Sequence, residues 1–341
     1  MDEEPAAPDE PKPSAWRAWP SRLALALAIV VWSLWLLGQI TRDRTWFLGL
    51  CFDAPSPIVG AACVGLGLRF WWRGLRRSAM TLGLLALAPI AMILAVENRW
   101  IQPTPPSFAG PTARLIHWNV GFNAGDEEAI QRVLTGADAD LIVITEPTRF
   151  QVKQLAGEMG PGHSSLFLGP THVIAKGVLR DRHCLANDGG LRVDSIRWRG
   201  DRGSLTLFIV DIKSDLGIAR DPLLRRVRAL MEAYQPDIVV GDFNSPRRSR
   251  ALTPPPSGYA HAYEAAGSGW SYTWPMPIPT LAIDQCLVGP RAVPLRYRIV
   301  TSSYSDHRRQ ELDFGIKPQE STPKDAGWRF ISPAPRQAPG S

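Results

Sequence analysis

Long apolar runs dominate the first hundred residues. Three of them, "RLALALAIVVWSLWLLGQI", "PSPIVGAACVGLGLRFWW" and "SAMTLGLLALAPIAMILAV", occupy residues 22–40, 55–72 and 78–96. A helix needs about 20 predominantly apolar residues to cross a bilayer. The pattern therefore predicts a three-helix transmembrane region over residues 21–98, which makes the chain an integral, multi-pass membrane protein with the lipid bilayer as a partner.

Two of these runs admit a second interpretation. The first could be a cleaved signal peptide, but its apolar core is longer than the usual stretch of about 7–15 residues and no small-residue cleavage site follows it. The second run has Asp53 and Pro55 at its entrance, so a re-entrant hairpin remains an alternative there.

Basic residues flank the runs unevenly. One group lies around the start of the first run, and the other lies around the connection between the second and third runs. The first group is Lys12, Arg17 and Arg22, and the second is Arg69, Arg73, Arg76 and Arg77. Short loops rich in Lys and Arg stay in the cytoplasm. Arg42 and Arg44 oppose this orientation but are outnumbered. We therefore expect everything after Glu97 to be extracytoplasmic, in a periplasm where the cell has one.

Proline-rich segments divide the rest of the chain. Residues 1–20, rich in Pro and acidic side chains, predict a disordered tail, and the Pro-rich residues 318–341 predict another. Residues 99–112, with "IQPTPPSFAGPT", predict a stiff, extended linker. A domain of residues 113–317 remains between the linker and the second tail.

Short apolar strands alternate with helices in this domain. Strands are predicted at 114–121, 141–147, 205–212, 237–244, 281–289 and within 295–308, and helices at 126–140 and 221–235. Helices inserted between hydrophobic strands favour a layered α/β fold with a covered sheet.

Charge and cysteine content narrow the function classes only a little. A net charge of +6 is too small to demonstrate a nucleic-acid partner. Cys184 and Cys286 lie outside the apolar runs, and we expect unpaired, buried thiols there, although pairing stays open. The sequence has no Gly-rich phosphate loop, GxSxG elbow, HExxH helix or zinc-spaced Cys/His cluster. We therefore expect no nucleotide cofactor.

Polar residues recur where apolar strands end. They are Asn119, Glu146, Asp242, Asn244, Asp284, Asp306 and His307. In layered folds, side chains from distant segments converge at strand ends. Any one of these residues alone could be an ordinary turn residue. Together they form a set of oxygen ligands that suits Mg²⁺ or Mn²⁺.

Six short motifs in fixed order carry a family resemblance. "HWNVG", "ITEP", "VVGDFNS", "YTWP", "AIDQ" and "YSDHR" resemble the motif series of the endonuclease/exonuclease/phosphatase superfamily over roughly residues 113–316. That superfamily includes deoxyribonucleases, AP endonucleases, neutral sphingomyelinases and inositol-polyphosphate phosphatases. The resemblance implies a four-layer α/β (α+β) sandwich of two mixed β-sheets flanked by helices. It also implies an Mg²⁺- or Mn²⁺-dependent hydrolase that cleaves phosphate esters by in-line attack of water.

The resemblance also assigns roles to the polar residues. Glu146 matches the metal-binding carboxylate, Asn119 supports that metal, and Asp306 reaches back toward it. The residues matched to catalysis are Asp242, Asn244, Asp284 and His307. Among these, Asp242 orients or deprotonates water, Asn244 donates to the developing oxyanion, and Asp284 orients the phosphate-facing His307. Whether Asp242 or His307 takes the proton stays open.

Two further residues are candidates for substrate binding. The motif "VDIKSD" at 210–215 departs from the Asn-x-His element of nucleases, and it places Asp211 and Lys213 at those two positions. Lys213 could bind phosphate as a point charge or be a solvated lysine. Trp274 of "YTWP" could stack on a base or sugar, or pack a loop beneath the site.

Three functional hypotheses follow. The first is a nuclease-like phosphodiesterase, and the second is a phosphoesterase directed at phospholipid or phosphoinositide head groups. The second is favoured by the short linker, which keeps the domain near the bilayer. The third is a membrane-tethered binding module with little or no turnover.

Overall fold

The computed structural model describes residues 15–121, 126–147 and 155–318. Four helices lead the chain: α1 (Ala15–Thr41), α2 (Trp46–Phe52), α3 (Ser56–Trp72) and α4 (Arg76–Ala91), with a π-helical segment at Met92–Glu97. The predicted apolar runs correspond to α1, α3 and α4. Residues 1–14 and 319–341, which hold most of the predicted tails, lie outside the described residues, and α1 starts inside the predicted N-terminal tail.

Two of the N-terminal helical segments, Trp19–Thr41 and Arg76–Glu97, are long and apolar enough to cross a membrane. Helices α2 and α3 pass the same test only as a pair, and they are bent by 60°. The bend lies where the sequence carries Asp53 and Pro55, because a charged side chain and a residue without an N–H both disfavour a continuous apolar helix. We call residues 53–55 the elbow. The broken-span and re-entrant interpretations of this segment both remain open.

The rest of the described chain contains twelve strands and three helices of stated bounds, and residues 155–158 are helical as well. In chain order the elements are β1 (Thr112–Asn119), α5 (Glu127–Thr135), β2 (Leu141–Thr145), β3 (His163–Phe167), β4 (Thr171–Lys176), β5 (Val178–Asp188), β6 (Leu191–Gly200), β7 (Gly203–Ile212), α6 (Arg220–Tyr234), β8 (Ile238–Asp242), β9 (Ala260–His261), α7 (Ala262–Ala266), β10 (Asp284–Val288), β11 (Ala292–Val300) and β12 (Arg309–Ile316).

These strands form two six-stranded sheets, with the orders β11-β12-β1-β2-β4-β3 and β5-β6-β7-β8-β10-β9. Each sheet contains one parallel pair, β1 with β2 and β7 with β8, and its other neighbours are antiparallel. Both sheets are therefore mixed, as the family resemblance implies.

Four layers result from the way the apolar faces are covered. The inner faces of the two sheets meet in a core that includes Leu115, Val143, Ile209, Val240 and Leu312. Helix α5 covers the outer face of the first sheet, and helix α6 covers the outer face of the second. Each sheet is thus apolar on both faces, which explains why β2 and β8 read as unbroken hydrophobic runs.

Local sequence signals set the bounds of the two outer helices. Asp126 caps α5, since its side chain accepts a hydrogen bond from the Ala129 N–H at 2.8 Å. Helix α6 begins at Arg220, ahead of an Asp-Pro pair that suits a first turn, and it ends where Gln235 adopts a left-handed conformation.

The two parallel pairs place their carboxyl ends side by side. Asn119 ends β1 next to Thr145 of β2, and Asp211 of β7 is paired with Asp242, the last residue of β8. The two strands of a parallel pair have their carboxyl ends at the same end of the sheet. The carboxyl ends of β1, β2, β7 and β8 therefore meet where the two sheets adjoin, and we call this line of contact the seam.

The N-terminal helices dock on the sandwich through their ends. The Arg42 guanidinium donates to the Thr253 carbonyl at 2.9 Å, and the Asp43 carboxylate accepts from the Arg250 N–H at 2.9 Å. Trp46 of α2 donates through its indole N–H to the Leu216 carbonyl at 2.7 Å. These contacts join the α1–α2 connection to two loops of the sandwich, the one after β7 and the one after β8.

Glu97 forms a second junction at the end of the π-helical segment. Its carboxylate accepts hydrogen bonds from the Ser56 and Tyr272 hydroxyls, and its backbone carbonyl accepts from Arg247 at 2.7 Å. Arg248 donates to the Gln39 side chain at 2.8 Å. Arg247 and Arg248 therefore hold the N-terminal helices.

Several details differ from the sequence-based expectations. The strand predicted within 295–308 is β11, which starts earlier, at Ala292, and ends at Val300, with a loop over residues 301–308. The four thiols are unpaired, and Cys286 is buried, but the expectation of a buried Cys184 is wrong. Cys184 lies on β5, whose pattern of burial is mostly exposed, so its side chain faces outward.

Gly241 in β8 provides a test of the packing beneath the seam. Its φ is +153°, and a Cβ added there would overlap the backbone oxygen of Val210 in the neighbouring strand β7. We expect Gly241→Ala to cost at least about 3 kcal/mol of unfolding free energy, or about 6–12 °C in melting temperature. Thermal unfolding of the purified full-length protein in detergent measures this. Gly157→Ala, at a position with no neighbouring atom within 4 Å, is the control, and equal melting temperatures of the two variants would contradict the prediction.

Candidate active site

The strand ends border a pocket of about 400 Å³. It is lined by six of the residues that the sequence motifs single out, namely Asn119, Glu146, Asp242, Asn244, Asp306 and His307, together with Trp274. Asp284 lies directly behind His307, to which it is hydrogen-bonded. Residues separated by nearly 200 positions in the chain thus share one concave surface.

Asn119 and Asp242 connect the two sheets. The Asn119 side-chain amide donates to one carboxylate oxygen of Asp242 at 2.9 Å, and both residues are buried. The other Asp242 oxygen accepts from the Asn244 N–H at 2.8 Å. Burial raises the pKa of Asp242 well above its ordinary value, and the neighbouring Asp284 carboxylate raises it further.

Asn244 is fixed by its backbone as well as by its side chain. Its φ is +45°, a left-handed conformation that Asn tolerates better than most residues. Its side-chain amide donates to the Ile212 carbonyl at 2.7 Å, which ties it to the end of β7. One N–H of that amide is used in this bond, so the second can donate to a ligand in the pocket.

His307 and Asp284 form a buried ion pair. The His307 Nδ1 lies 2.8 Å from an Asp284 carboxylate oxygen. Burial alone would lower the pKa of His307, but Asp284 outweighs it and the pKa rises to about 9. Burial likewise acts to raise the pKa of Asp284, yet the charged imidazole prevails and the pKa falls. His307 is therefore an imidazolium at neutral pH, with Nε2 left to face a substrate.

His117 supports this pair from behind and was not singled out by sequence analysis. It is fully buried, and its ring nitrogens lie 3.3 Å from the Gln310 side-chain oxygen and 3.1 Å from the Thr145 hydroxyl. Burial lowers the pKa of His117, so the ring is neutral. The motif letters "HWN" contain it, but only the fold shows that its side chain points into the core beside Asp284.

Glu146 and Asp306 bring two more carboxylates to the pocket. Glu146 follows β2 in a left-handed conformation, and Asp306 accepts a hydrogen bond from the Trp274 indole N–H at 2.9 Å. Burial raises the pKa of Glu146, and the negative charge of Asp306 adds to that rise. Like charges gathered in this way are stabilised by a cation between them.

The donor set fits a hard divalent cation. Carboxylate and amide oxygens from Glu146, Asp306 and Asn119 are the ligands that Mg²⁺ and Mn²⁺ prefer. Ligand atoms of Asp242, Asp284 and His307 also lie within 4.8 Å of one another. In that second group the His307 Nδ1 is already hydrogen-bonded to Asp284.

Comparison with known proteins agrees with this geometry. A sequence profile of the Endonuclease/Exonuclease/phosphatase family matches residues 116–307, which is more than half of the chain. The chain belongs to this endonuclease/exonuclease/phosphatase family. No curated protein sequence matches the chain.

Solved structures show the same fold in this family. A TDP2 from D. rerio, humanised by 14 mutations, is 16% identical with a TM-score of 0.51, and the match covers 60% of this chain and 99% of that one. A family protein from Bacteroides thetaiotaomicron is 16% identical with a TM-score of 0.50, covering 62% of this chain and 100% of that one. At this identity the likeness concerns the fold alone.

The two candidate substrate-binding residues lie in different places in this family member. Trp274 lines the pocket, with its ring centroid 6.5 Å from that of His307. Lys213 is 3.7 Å from Asp215, its side chain is 68% exposed, and it is not among the residues that line the pocket. The structure therefore brings Trp274 into the candidate active site and leaves Lys213 outside it.

The pocket also has walls that sequence analysis missed. Asp53 of the elbow and Arg220, the first residue of α6, both line it, as does Leu216. Asp53 was noted only as an interruption of an apolar run. Arg220 stands directly before the Asp-Pro pair that marks the start of the helix, and no family motif includes it.

The His307–Asp284 pair gives a direct spectroscopic prediction. Asp284→Asn removes the charge that outweighs burial, so we expect the pKa of His307 to fall from about 9 to below its ordinary value of about 6.5. An NMR titration of the six histidines, labelled with ¹³C and free of metal, measures it. His261, buried elsewhere in the sandwich, is the internal control, and an unchanged His307 pKa in the variant would contradict the assignment.

Proposed function

We propose that the protein is a membrane-anchored, divalent-cation-dependent phosphoesterase that hydrolyses phosphodiester or phosphomonoester bonds by in-line attack of water. The observation that supports it most strongly is the seam between the two sheets. There, the carboxylate and amide oxygens of Glu146, Asn119 and Asp306 line the same pocket as Asp242 and His307, which are held by hydrogen bonds to Asn119 and Asp284.

The polar residues of the pocket have different roles in this proposal. Glu146, Asn119 and Asp306 would hold the cation, which when bound supplies positive charge to the phosphoryl oxygens. Asp242, a buried carboxylate fixed by two hydrogen bonds, accepts the proton of the attacking water. His307 cannot be that base while it is an imidazolium, so it binds a phosphoryl oxygen, as does the Asn244 amide.

Anchoring in a membrane is the second part of the proposal. The apolar segments Trp19–Thr41 and Arg76–Glu97 support it, with the bent α2–α3 pair as a third crossing. The sandwich contacts the N-terminal region near Arg42, Asp53 and Glu97. The basic connection between α3 and α4 lies at the opposite ends of these two helices. By the positive-inside rule the sandwich is then extracytoplasmic.

A reporter fused after Lys317 tests this orientation. We expect an alkaline phosphatase fusion to be active and a green fluorescent protein fusion to be dark, because the first folds only outside the cytoplasm and the second only inside. The reverse pattern would place the sandwich in the cytoplasm.

Nucleic acid is the first substrate candidate, because the superfamily that the motifs resemble includes deoxyribonucleases and AP endonucleases. A lipid phosphate ester is the second, and one specific observation favours it. Part of the pocket wall comes from Asp53 of the elbow and from Leu216, whose carbonyl binds Trp46 of α2 and whose side chain is 68% exposed. A pocket bordered in this way opens next to the bilayer surface, where lipid head groups lie.

Turnover assays on the full-length protein test the function and separate the two substrates. The panel is plasmid DNA, a single-stranded oligonucleotide, sphingomyelin vesicles, phosphoinositide vesicles and bis(4-nitrophenyl) phosphate, each with Mg²⁺, Mn²⁺ or EDTA. We expect EDTA to abolish hydrolysis and Asp242→Asn to reduce kcat by about 10²–10⁴-fold, since it removes the proton acceptor but keeps the side-chain shape.

Each outcome of the panel decides between the hypotheses. Hydrolysis of DNA alone or of lipid alone selects that substrate class. A fully active Asp242→Asn variant would refute the role of Asp242. If no substrate is turned over with either cation, the tethered binding module replaces the enzyme.

A further inference from the structure

The candidate active site has an excess of negative charge. Of the pocket-lining residues that the structure describes, Asp53, Glu146, Asp242 and Asp306 are acidic, whereas only His307 and Arg220 are basic. A phosphate ester is an anion and needs positive partners on the protein. His307 already supplies one, and Lys213, which sequence analysis offered as another, lies outside the pocket.

Arg220 is buried in a way that internal contacts do not explain. Only 9% of its surface is exposed, and its Nη1 has no hydrogen-bond partner among the residues that the structure describes. Asp53, Asp242 and Asp215 are near enough to stabilise the guanidinium charge electrostatically. A buried N–H donor without an acceptor is nevertheless costly, and native proteins rarely retain one that has no ligand.

The position of Arg220 in its helix adds a second observation. Arg220 is the first residue of α6, and the preceding Ala219 provides no side-chain cap. The positive end of the helix dipole disfavours a cation there, so the placement does not stabilise the helix itself. The helix end and the guanidinium together make a positive site, and such a site suits an anion.

We propose that Arg220 binds the phosphate group of the substrate, by donating hydrogen bonds from its guanidinium to non-bridging oxygens on the side of the pocket that the elbow completes. This inference rests on the proposed phosphoesterase function. Planar guanidinium groups match the geometry of phosphate oxygens better than an ammonium does. Arg220 is therefore a substrate-binding residue in the same pocket as Asp242 and His307.

Arg220→Met and Arg220→Lys in the full-length protein test this role. The matched control is Arg226→Met, because Arg226 lies on the same helix but makes an exposed surface ion pair with Asp188 at 2.6 Å. Two measurements are made in the presence of Mg²⁺: the KM for bis(4-nitrophenyl) phosphate, and the Kd of inorganic phosphate by calorimetry. Melting temperatures are recorded for every variant.

We expect Arg220→Met to raise both KM and the phosphate Kd by at least about tenfold, as loss of a charge-assisted hydrogen bond predicts. Arg220→Lys should recover part of that loss, and Arg226→Met should stay within about twofold of the wild type. An unchanged KM and Kd in a folded Arg220→Met protein would overturn the inference. The inference would also be overturned if Arg220→Met lowered the melting temperature and changed neither KM nor Kd, because Arg220 would then only hold the elbow in place.

Failure of the proposed function gives a different result. If the wild type turns over no phosphate ester yet binds inorganic phosphate, the calorimetric comparison alone decides the role of Arg220. Phosphate binding that Arg220→Met abolishes then supports the inference without catalysis. A wild type that neither hydrolyses esters nor binds phosphate overturns both proposals.

Discussion

The hydrogen bond from Asn119 to Asp242 is the contact on which the site depends. Asn119 ends β1 in the first sheet and Asp242 ends β8 in the second, so the 2.9 Å bond closes the seam between the sheets. The ion pair of Asp284 and His307 crosses the same seam, because Asp284 begins β10 and His307 precedes β12. Any shift of one sheet along the other would break both contacts, so the apolar core between the sheets sets the geometry of the chemistry.

Burial at this seam both creates the chemical properties of the site and imposes a cost. Removing Asp242 from water raises its pKa, which suits a proton acceptor, and the same burial is what makes the Asp284–His307 pair strong. Buried charges of this kind destabilise a fold unless each has a partner. Asn119, Asn244 and His117 belong to the arrangement for that reason, since they hold or surround the carboxylates without adding charge.

The site residues at the strand ends could be predicted from the sequence, but the other residues that line the pocket could not. Strands β1, β2, β7 and β8 are recognisable because burial on both faces makes them continuous apolar runs, and the polar residues that end them are equally visible. Strands β3 and β5 are not, because antiparallel strands with an exposed face carry mixed patterns. Strands β4 and β6 are mostly buried, but polar residues such as His172 and Asp194 interrupt their apolar runs. Lys213 was a candidate phosphate ligand or a solvated lysine by its position in a motif, and its 68% exposed side chain favours the second. Arg220 and Asp53 reach the pocket only through tertiary packing, which no local pattern encodes.

Docking of the N-terminal helices adds a constraint that the fold of the family does not require. The elbow closes one side of the pocket with Asp53, while Glu97 and Asp43 fix the helices to loops that follow β8. A sandwich attached only by its linker could rotate freely above a membrane, whereas this one is held at three separate points on the N-terminal helices. The pocket is therefore kept at a fixed height and angle relative to those helices. If they cross a bilayer, as proposed, the elbow and the side of the pocket that it lines lie near the membrane surface.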